Sequence, residues 1–214
     1  MALNSDPRKW QAYGICDSAF SQKHRADRTS IGIFSTGPER RVFLIDWVLD
    51  RLDPRQRGDA IVRLIRKWKP VRFIYEEVAL MSDTFYLNER FEREHIDLRL
   101  IPVGRKGPRK ELSKHERICQ IAEWFREGRI VLPRQLIYTQ VDGKTVDLIH
   151  YFINQEFLPY RGTDTIRHDD GLDMFSRLLD SELRLEYDMD RGDEDEDDSP
   201  YDRPIGKGGW EALY

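Results

Sequence analysis

Apolar positions recur in a readable pattern from about Trp10 to about Leu185 and then stop. The opening is rich in β-branched and aromatic residues. Ala12–Asp17, Thr29–Ser35 and Arg41–Val48 read as three strands, with turn chemistry in Thr36-Gly-Pro-Glu-Arg40 between the last two. Asp53-Pro54 reads as a helix N-cap followed by proline at the first helical position. Ile61, Leu64, Ile65 and Trp68 follow at helical spacing, and Pro70 closes that element. Val71–Val78 predicts a fourth strand, Thr84–His95 a helix, and Leu98–Val103 a fifth strand.

Ser113-Lys-His-Glu116 has the pattern of a capping box, opening a helix with Ile118, Ile121, Ala122 and Phe125 on one face and Gly128 just past its end. Arg129–Leu132 reads as a strand, and Leu136–Thr139 with Asp142-Gly143 suggests a hairpin. Helices over about Val146–Phe157 and Gly171–Leu185 complete the pattern. Hairpin-linked strands followed by alternating helices and strands predict a mixed α/β sheet with helices on both faces. Residues 188–209 are acidic and punctuated by glycine and proline, a composition that buries too little apolar surface to order itself. The expected division is therefore a domain over 1–186 and an acidic tail over 187–214, whose last five residues, Trp210 to Tyr214, are apolar enough to dock on a surface.

A length of 214 residues suits one well-buried domain or two small ones. Apolar runs fall well short of the ~20 residues of a membrane span, and the start of the chain lacks the apolar core of a secretory signal. Two cysteines, Cys16 and Cys119, are too few for a disulfide framework and fit a reducing compartment. The formal charge of −4 is unevenly spread: residues 186–202 hold ten acids and one arginine, which leaves the body of the chain mildly basic. That distribution permits a polyanionic partner.

The acids within the body fall at telling places. Asp17 ends the first predicted strand, and Glu76 and Glu77 end the fourth. Strand alternation puts Glu76 and Glu77 on opposite sides. His168, Asp169, Asp170 and Asp173 open the last helix, and Asp170 and Asp173 project from one helical face. Carboxylates at two strand ends and a helix start are the hard oxygen ligands that two Mg²⁺ or Mn²⁺ ions about 4 Å apart require for phosphodiester hydrolysis. An aspartate at a helix start also serves as a simple cap. The loop Arg105, Lys106, Arg109, Lys110, with Lys114 and Arg117 beyond it, is the best candidate for phosphate contact, and Lys144 near the hairpin turn is another. A solvated surface loop has the same composition. Cys16 points away from Asp17 across the strand and reads as core, as do Trp68 and Trp124 on their helices.

Several strings together resemble the nuclease domain of phage terminase large subunits: Tyr13-Gly-Ile-Cys-Asp17-Ser-Ala19 followed by Asp27-Arg-Thr29, Phe73-Ile-Tyr-Glu76-Glu77, Lys114-His-Glu-Arg117-Ile118, and His168-Asp-Asp170-Gly-Leu-Asp173. They occur in that family's order over residues 10–180. The resemblance implies an RNase H-like fold with a five-stranded mixed sheet whose first three strands are antiparallel. It implies metal-dependent endonucleolytic cutting of double-stranded DNA during genome packaging. By position it assigns Asp17, Glu76 and Asp170 as catalytic metal ligands for Mg²⁺ or Mn²⁺. Asp173 assists, because related Holliday-junction resolvases pair two aspartates on this helix. Glu77, Asp169, His168 and Asp27 stand as alternates or as supports behind the ligands.

The implied partners are double-stranded DNA and the portal, small terminase subunit and ATPase domain of a packaging motor. The implied location is the cytoplasm of an infected bacterial host. No segment fits the phosphate-loop pattern G-x-x-x-x-G-K-[ST]; Gly104-Arg-Lys-Gly107 and Gly206-Lys-Gly-Gly209 both fail it, so the expectation is a nuclease portion without its ATPase. The competing readings are a Holliday-junction resolvase or a DDE-type recombinase on the same fold, and a non-catalytic RNase H-like module that binds DNA or protein.

Overall fold

The structure is a computed structural model, and it describes residues 6–18, 28–76, 82–103, 112–162 and 168–187. Strand β1 (Ala12–Asp17) forms the centre. It pairs antiparallel with β2 (Thr29–Thr36), which pairs antiparallel with β3 (Val42–Asp50). On its other side β1 runs parallel to β4 (Arg72–Glu76), and β4 runs parallel to β5 (Leu100–Val103). These are the five expected strands, with the first three antiparallel. A sixth, two-residue strand, β6 (Ile130–Val131), adds in parallel to the outer edge of β3, giving the order β5-β4-β1-β2-β3-β6.

Side-chain alternation along β1 sorts the core into two layers. Ala12 and Cys16 face α1 (Pro54–Trp68), while Tyr13 and Ile15 face the later helices. Helix α1 starts at the expected Asp53 cap, whose side chain accepts from the Gln56 amide at 2.7 Å while the Gln56 side chain accepts from the Asp53 amide. It ends at Lys69 in the left-handed region, immediately before Pro70. Ile61, Leu64, Ile65 and Trp68 pack beneath the sheet together with Leu87 and Phe91 of α2 (Ser82–Arg93). Cys16 lies in this layer, where burial pushes its thiol well above the usual range. It is a packing residue, as its position on the strand predicts.

The opposite layer holds α3 (Lys114–Arg126), α4 (Leu148–Tyr151), which continues as a π-helical segment over Phe152–Phe157, and α5 (Asp170–Ser176). Phe34, Trp47, Phe125, Phe152 and Phe175 form an aromatic cluster there, with edge-to-face and tilted contacts at 4.8–5.9 Å. The expected capping box at Ser113–Glu116 opens α3, and Gly128 follows its end with φ 68°.

Two helices differ from expectation. The segment over Val146–Phe157 begins as a strand: β8 (Thr145–Asp147) pairs with β7 (Ile137–Thr139) as the hairpin, and helix starts only at Leu148. Asp147 separates the two by accepting from the Ile149 and Leu136 amides. The last helix was expected to reach Leu185 but stops at Ser176 and tightens into a 3₁₀ turn over Arg177–Leu179. Arg177 and Asp180 pair at 3.3 Å across that turn. The chain then doubles back so that Leu183 re-enters the core and the Glu186 amide donates to the Tyr13 hydroxyl at 2.8 Å. The acidic stretch from 188 onward, Asp27, Glu77 and the basic loop carrying Arg105, Lys106, Arg109 and Lys110 lie outside the described residues.

Candidate functional site

Parallel pairing of β1 and β4 places Cys16 opposite Tyr75, so Asp17 and Glu76 stand side by side where both strands end. Parity puts both carboxyls on the face covered by α3 and α5, since Ile15 and Ile74 precede them there. The two carboxyl groups stand within hydrogen-bonding reach of each other. Burial raises Asp17 well above the ordinary carboxyl range, and Glu76 and Asp173 push it the same way against the opposing charge of Arg177. Burial also works against Glu76. The hydrogen bond from Asp17 and the charges of Arg177 and Arg117 outweigh it, however, and hold Glu76 below its usual value. Protonation of the pair is thus favoured at Asp17 over Glu76.

Cationic side chains surround this pair. Arg177, 6% exposed, is ion-paired to Glu76 through Nη2 and to Asp180 through Nη1. Lys114 at the start of α3 bridges Asp169 at 2.9 Å and Asp173 at 2.7 Å, and these carboxylates, against the effect of burial, raise its pKa. Arg117, one turn along, reaches Asp173 at 3.5 Å. Asp173 thus faces Asp17 from α5 and is held there by two basic side chains from α3.

Asp170 is placed differently. Its two oxygens accept from the Arg28 amide and from Arg28 Nε, both at 3.1 Å. Arg28 also donates to the Tyr151 hydroxyl at 2.5 Å and pairs with Glu156 at 3.2 Å. Glu156 has no exposed side-chain surface, and its Oε2 accepts from the Gly171 and Leu172 amides at 2.8 and 3.1 Å. It thereby caps α5 from outside, where Asp169 provides no cap of its own. Burial raises Glu156 to about 8, Arg28 opposing. The π-helical segment is what turns Glu156 inward.

The expected residues accordingly divide. Asp17, Glu76 and Asp173 come together, with Lys114 and Arg117 against them. Asp170 joins Arg28, Glu156 and Tyr151 beneath the start of α5, Asp169 lies on Lys114, and His168 stands part-buried just before the helix. Lys144 is exposed on the hairpin. That hairpin is tied to the end of β3 by Asp50, whose Oδ2 accepts from the Val141 amide at 2.7 Å and the Tyr138 hydroxyl at 3.2 Å. Since Asp17 pairs with Ser30 and Ser30 with Leu49, the hairpin is anchored at the same edge of the sheet as Asp17, two strand spacings or ~10 Å away.

Sequence reading did not single out Arg177, Arg28, Glu156 or Tyr151. Arg177 stands four residues beyond Asp173 on the same helical face, a signal that was available. Glu156 had none, because a π-helical turn leaves no trace in 3.6-residue periodicity.

Among the described residues, no group of three or more His, Cys, Asp and Glu side chains has the geometry to hold a metal ion. The Asp17–Glu76 pair nonetheless has the donor chemistry for a hard divalent cation. It offers adjacent, half-buried carboxyl oxygens to such a cation.

Sheet order, strand directions and an acidic pair at the carboxyl edge of the parallel strands define an RNase H-like α/β domain. Its fold is shared with the human cytomegalovirus terminase nuclease domain, solved after a manganese soak, at TM-score 0.53 and 14% identity, over 83% of this chain and 88% of that one. The large terminase nuclease of thermophilic phage G20c aligns at TM-score 0.46 and 12% identity, over 78% of this chain and 79% of that one. The Fowlpox virus resolvase, in complex with Holliday junction DNA, aligns at 0.36 and 15%, over 79% and 99%. No family model and no curated protein matches the sequence. No helix among the described residues is long and apolar enough to cross a membrane.

Proposed function

We propose that this chain is a divalent-metal-dependent endonuclease that hydrolyses DNA phosphodiesters. The observation that carries the reading is the half-buried pair of Asp17 and Glu76 on adjacent parallel strand ends, faced by Asp173. Two half-buried carboxyls side by side are costly even beside Arg177, and a protein retains such a pair where it has a use. Asp17 and Glu76 would hold Mg²⁺ or Mn²⁺, with Asp173 the nearest further carboxylate. When bound, the metal supplies Lewis acidity and a nucleophilic water at neutral pH. In the reaction a water oxygen bonds to phosphorus, one P–O ester bond breaks, and the departing oxygen takes up a proton.

The chain's own residues do the rest. Val103 pairs with Glu76 and Ser113 caps α3, and the sequence between them carries Arg105, Lys106, Arg109 and Lys110. Those residues, with Lys114 and Arg117, would follow the phosphate backbone, and Lys144 would reach it from the hairpin. Asp170 would act through Arg28 and Glu156, fixing the start of α5 and with it Asp173.

The finer reading is a terminase-type nuclease that cuts double-stranded DNA during viral genome packaging in a bacterial host, working beside an ATPase, a portal and a small subunit. The ordered motifs support it, together with the fold shared with a terminase nuclease domain. The test is cleavage of supercoiled plasmid with Mn²⁺. The wild-type chain nicks and linearises it, chelation abolishes the activity, and Asp17→Asn lowers it by at least ~10²-fold. Undiminished cutting by Asp17→Asn would overturn the assignment. Preference for linear duplex over a four-way junction separates the terminase reading from a resolvase.

A further inference from the structure

The carboxyl pair stands just past the point where β1 and β4 stop holding each other. Their register runs from Tyr13 opposite Arg72 to Cys16 opposite Tyr75, and ends one position before Asp17 and Glu76. On their outer sides the two residues are still in register, Asp17 with Ser30 of β2 and Glu76 with Val103 of β5. The seam between them is the weak place, and it is also where two carboxyls repel each other once both are ionised. A side chain crosses the seam there: the Ser18 hydroxyl donates to the Glu76 main-chain carbonyl at 2.8 Å. Ser18 is 9% exposed, so water competes little for that bond.

Ser18 is braced in turn. Cys16 and Tyr75 face the layer of α1 and α2, and the buried Tyr75 hydroxyl lies within hydrogen-bonding reach of Ser18. Burial pushes Tyr75 well above the usual phenol range, so the hydroxyl keeps its proton. It donates to Asp83 Oδ2 at 3.2 Å, and the same oxygen is ion-paired to the buried Arg57 of α1. One phenol and one serine thus connect α1 and the start of α2 to the main chain of Glu76. They do so from the face of the sheet opposite the carboxyls.

We infer that Ser18 is a positioning residue of this site: braced by Tyr75, it closes the seam between β1 and β4 and so fixes the spacing of the Asp17 and Glu76 carboxyls that receive divalent metal. This rests on the nuclease reading above and deepens it. Ligands must be held to within ~0.5 Å of their working positions, and a loosened seam displaces Glu76 through its own main chain.

The experiment measures Mn²⁺ affinity, through the electron paramagnetic resonance of the unbound ion, alongside plasmid cleavage. Ser18→Ala removes the hydroxyl and keeps a small side chain. It weakens Mn²⁺ binding and raises the Mn²⁺ needed for half-maximal cleavage, each about 3–10-fold, while the KM for plasmid at saturating Mn²⁺ stays at the wild-type value. Tyr75→Phe shifts both in the same direction by a smaller factor, and the double variant is no worse than Ser18→Ala, because Tyr75 acts through Ser18. Wild-type Mn²⁺ affinity in Ser18→Ala, even with a lowered unfolding temperature, overturns this inference while leaving the nuclease reading intact. Additive losses in the double variant overturn the brace. A wild-type chain that takes up no Mn²⁺ overturns both readings. Should Ser18→Ala fail to fold by circular dichroism, Tyr75→Phe decides the matter, and wild-type Mn²⁺ affinity there overturns the inference.

Discussion

Glu156 shows how much one buried carboxyl can control. It is fully enclosed, caps α5 through two backbone amides, and shares Arg28 with Asp170. Its folded pKa of about 8 lies above the ordinary 4.5, so the native state holds the proton more tightly than the unfolded chain does. The contribution to stability is therefore fully present below about 4.5 and is lost as pH rises through 8. Glu156→Gln keeps the oxygen that accepts from Gly171 and Leu172 but cannot ionise. Thermal unfolding between pH 5 and 8 should fall with pH in the wild type by an amount worth a few kcal/mol, and much less in Glu156→Gln. Parallel slopes would show that the carboxyl does not titrate as its burial requires.

Among the elements, the β1–β4 pair matters most because its ends carry both carboxyls. Gly14 faces Phe73 across that pair, and a Cβ on residue 14 would lie 2.2 Å from the Phe73 ring. Gly14→Ala must therefore push the two strands or the ring apart, at a cost of ~1–3 kcal/mol measurable by urea unfolding. An unchanged midpoint would mean that the strands are less tightly matched than their register indicates.

The elements also show what a single sequence makes legible. Strands β1 to β5 were readable because each has β-branched or aromatic runs bounded by turn residues, and α1 and α3 because both begin with a capping box. The end of the last helix was not. Its apolar periodicity continues through Leu178, Leu179 and Leu183, yet the Arg177–Asp180 pair and the pull of the Tyr13 layer on residues 183–186 fold that stretch back on itself. Both effects come from residues distant in sequence or off the periodic face. The pairing of Asp170 was not legible for the same reason: its partner Arg28 lies 142 residues upstream.

Across the whole molecule, topology does the work of assembly. Three parallel strand ends and the start of α5 converge on one edge of the sheet, and α3 lays Lys114 and Arg117 over it. Acids that would repel a phosphate are thereby interleaved with bases that would attract it, and the acidic composition of residues 186–202 lies outside that arrangement in sequence. The modest overall charge of −4 says little about this edge, where both signs are concentrated.

Anomalous diffraction from crystals soaked in Mn²⁺ tests the account most directly. It predicts manganese within coordination distance of both Asp17 and Glu76, with Asp170 still on Arg28. At saturating Mn²⁺, an empty Asp17–Glu76 pair, or an ion bound through Asp170 instead, would contradict it.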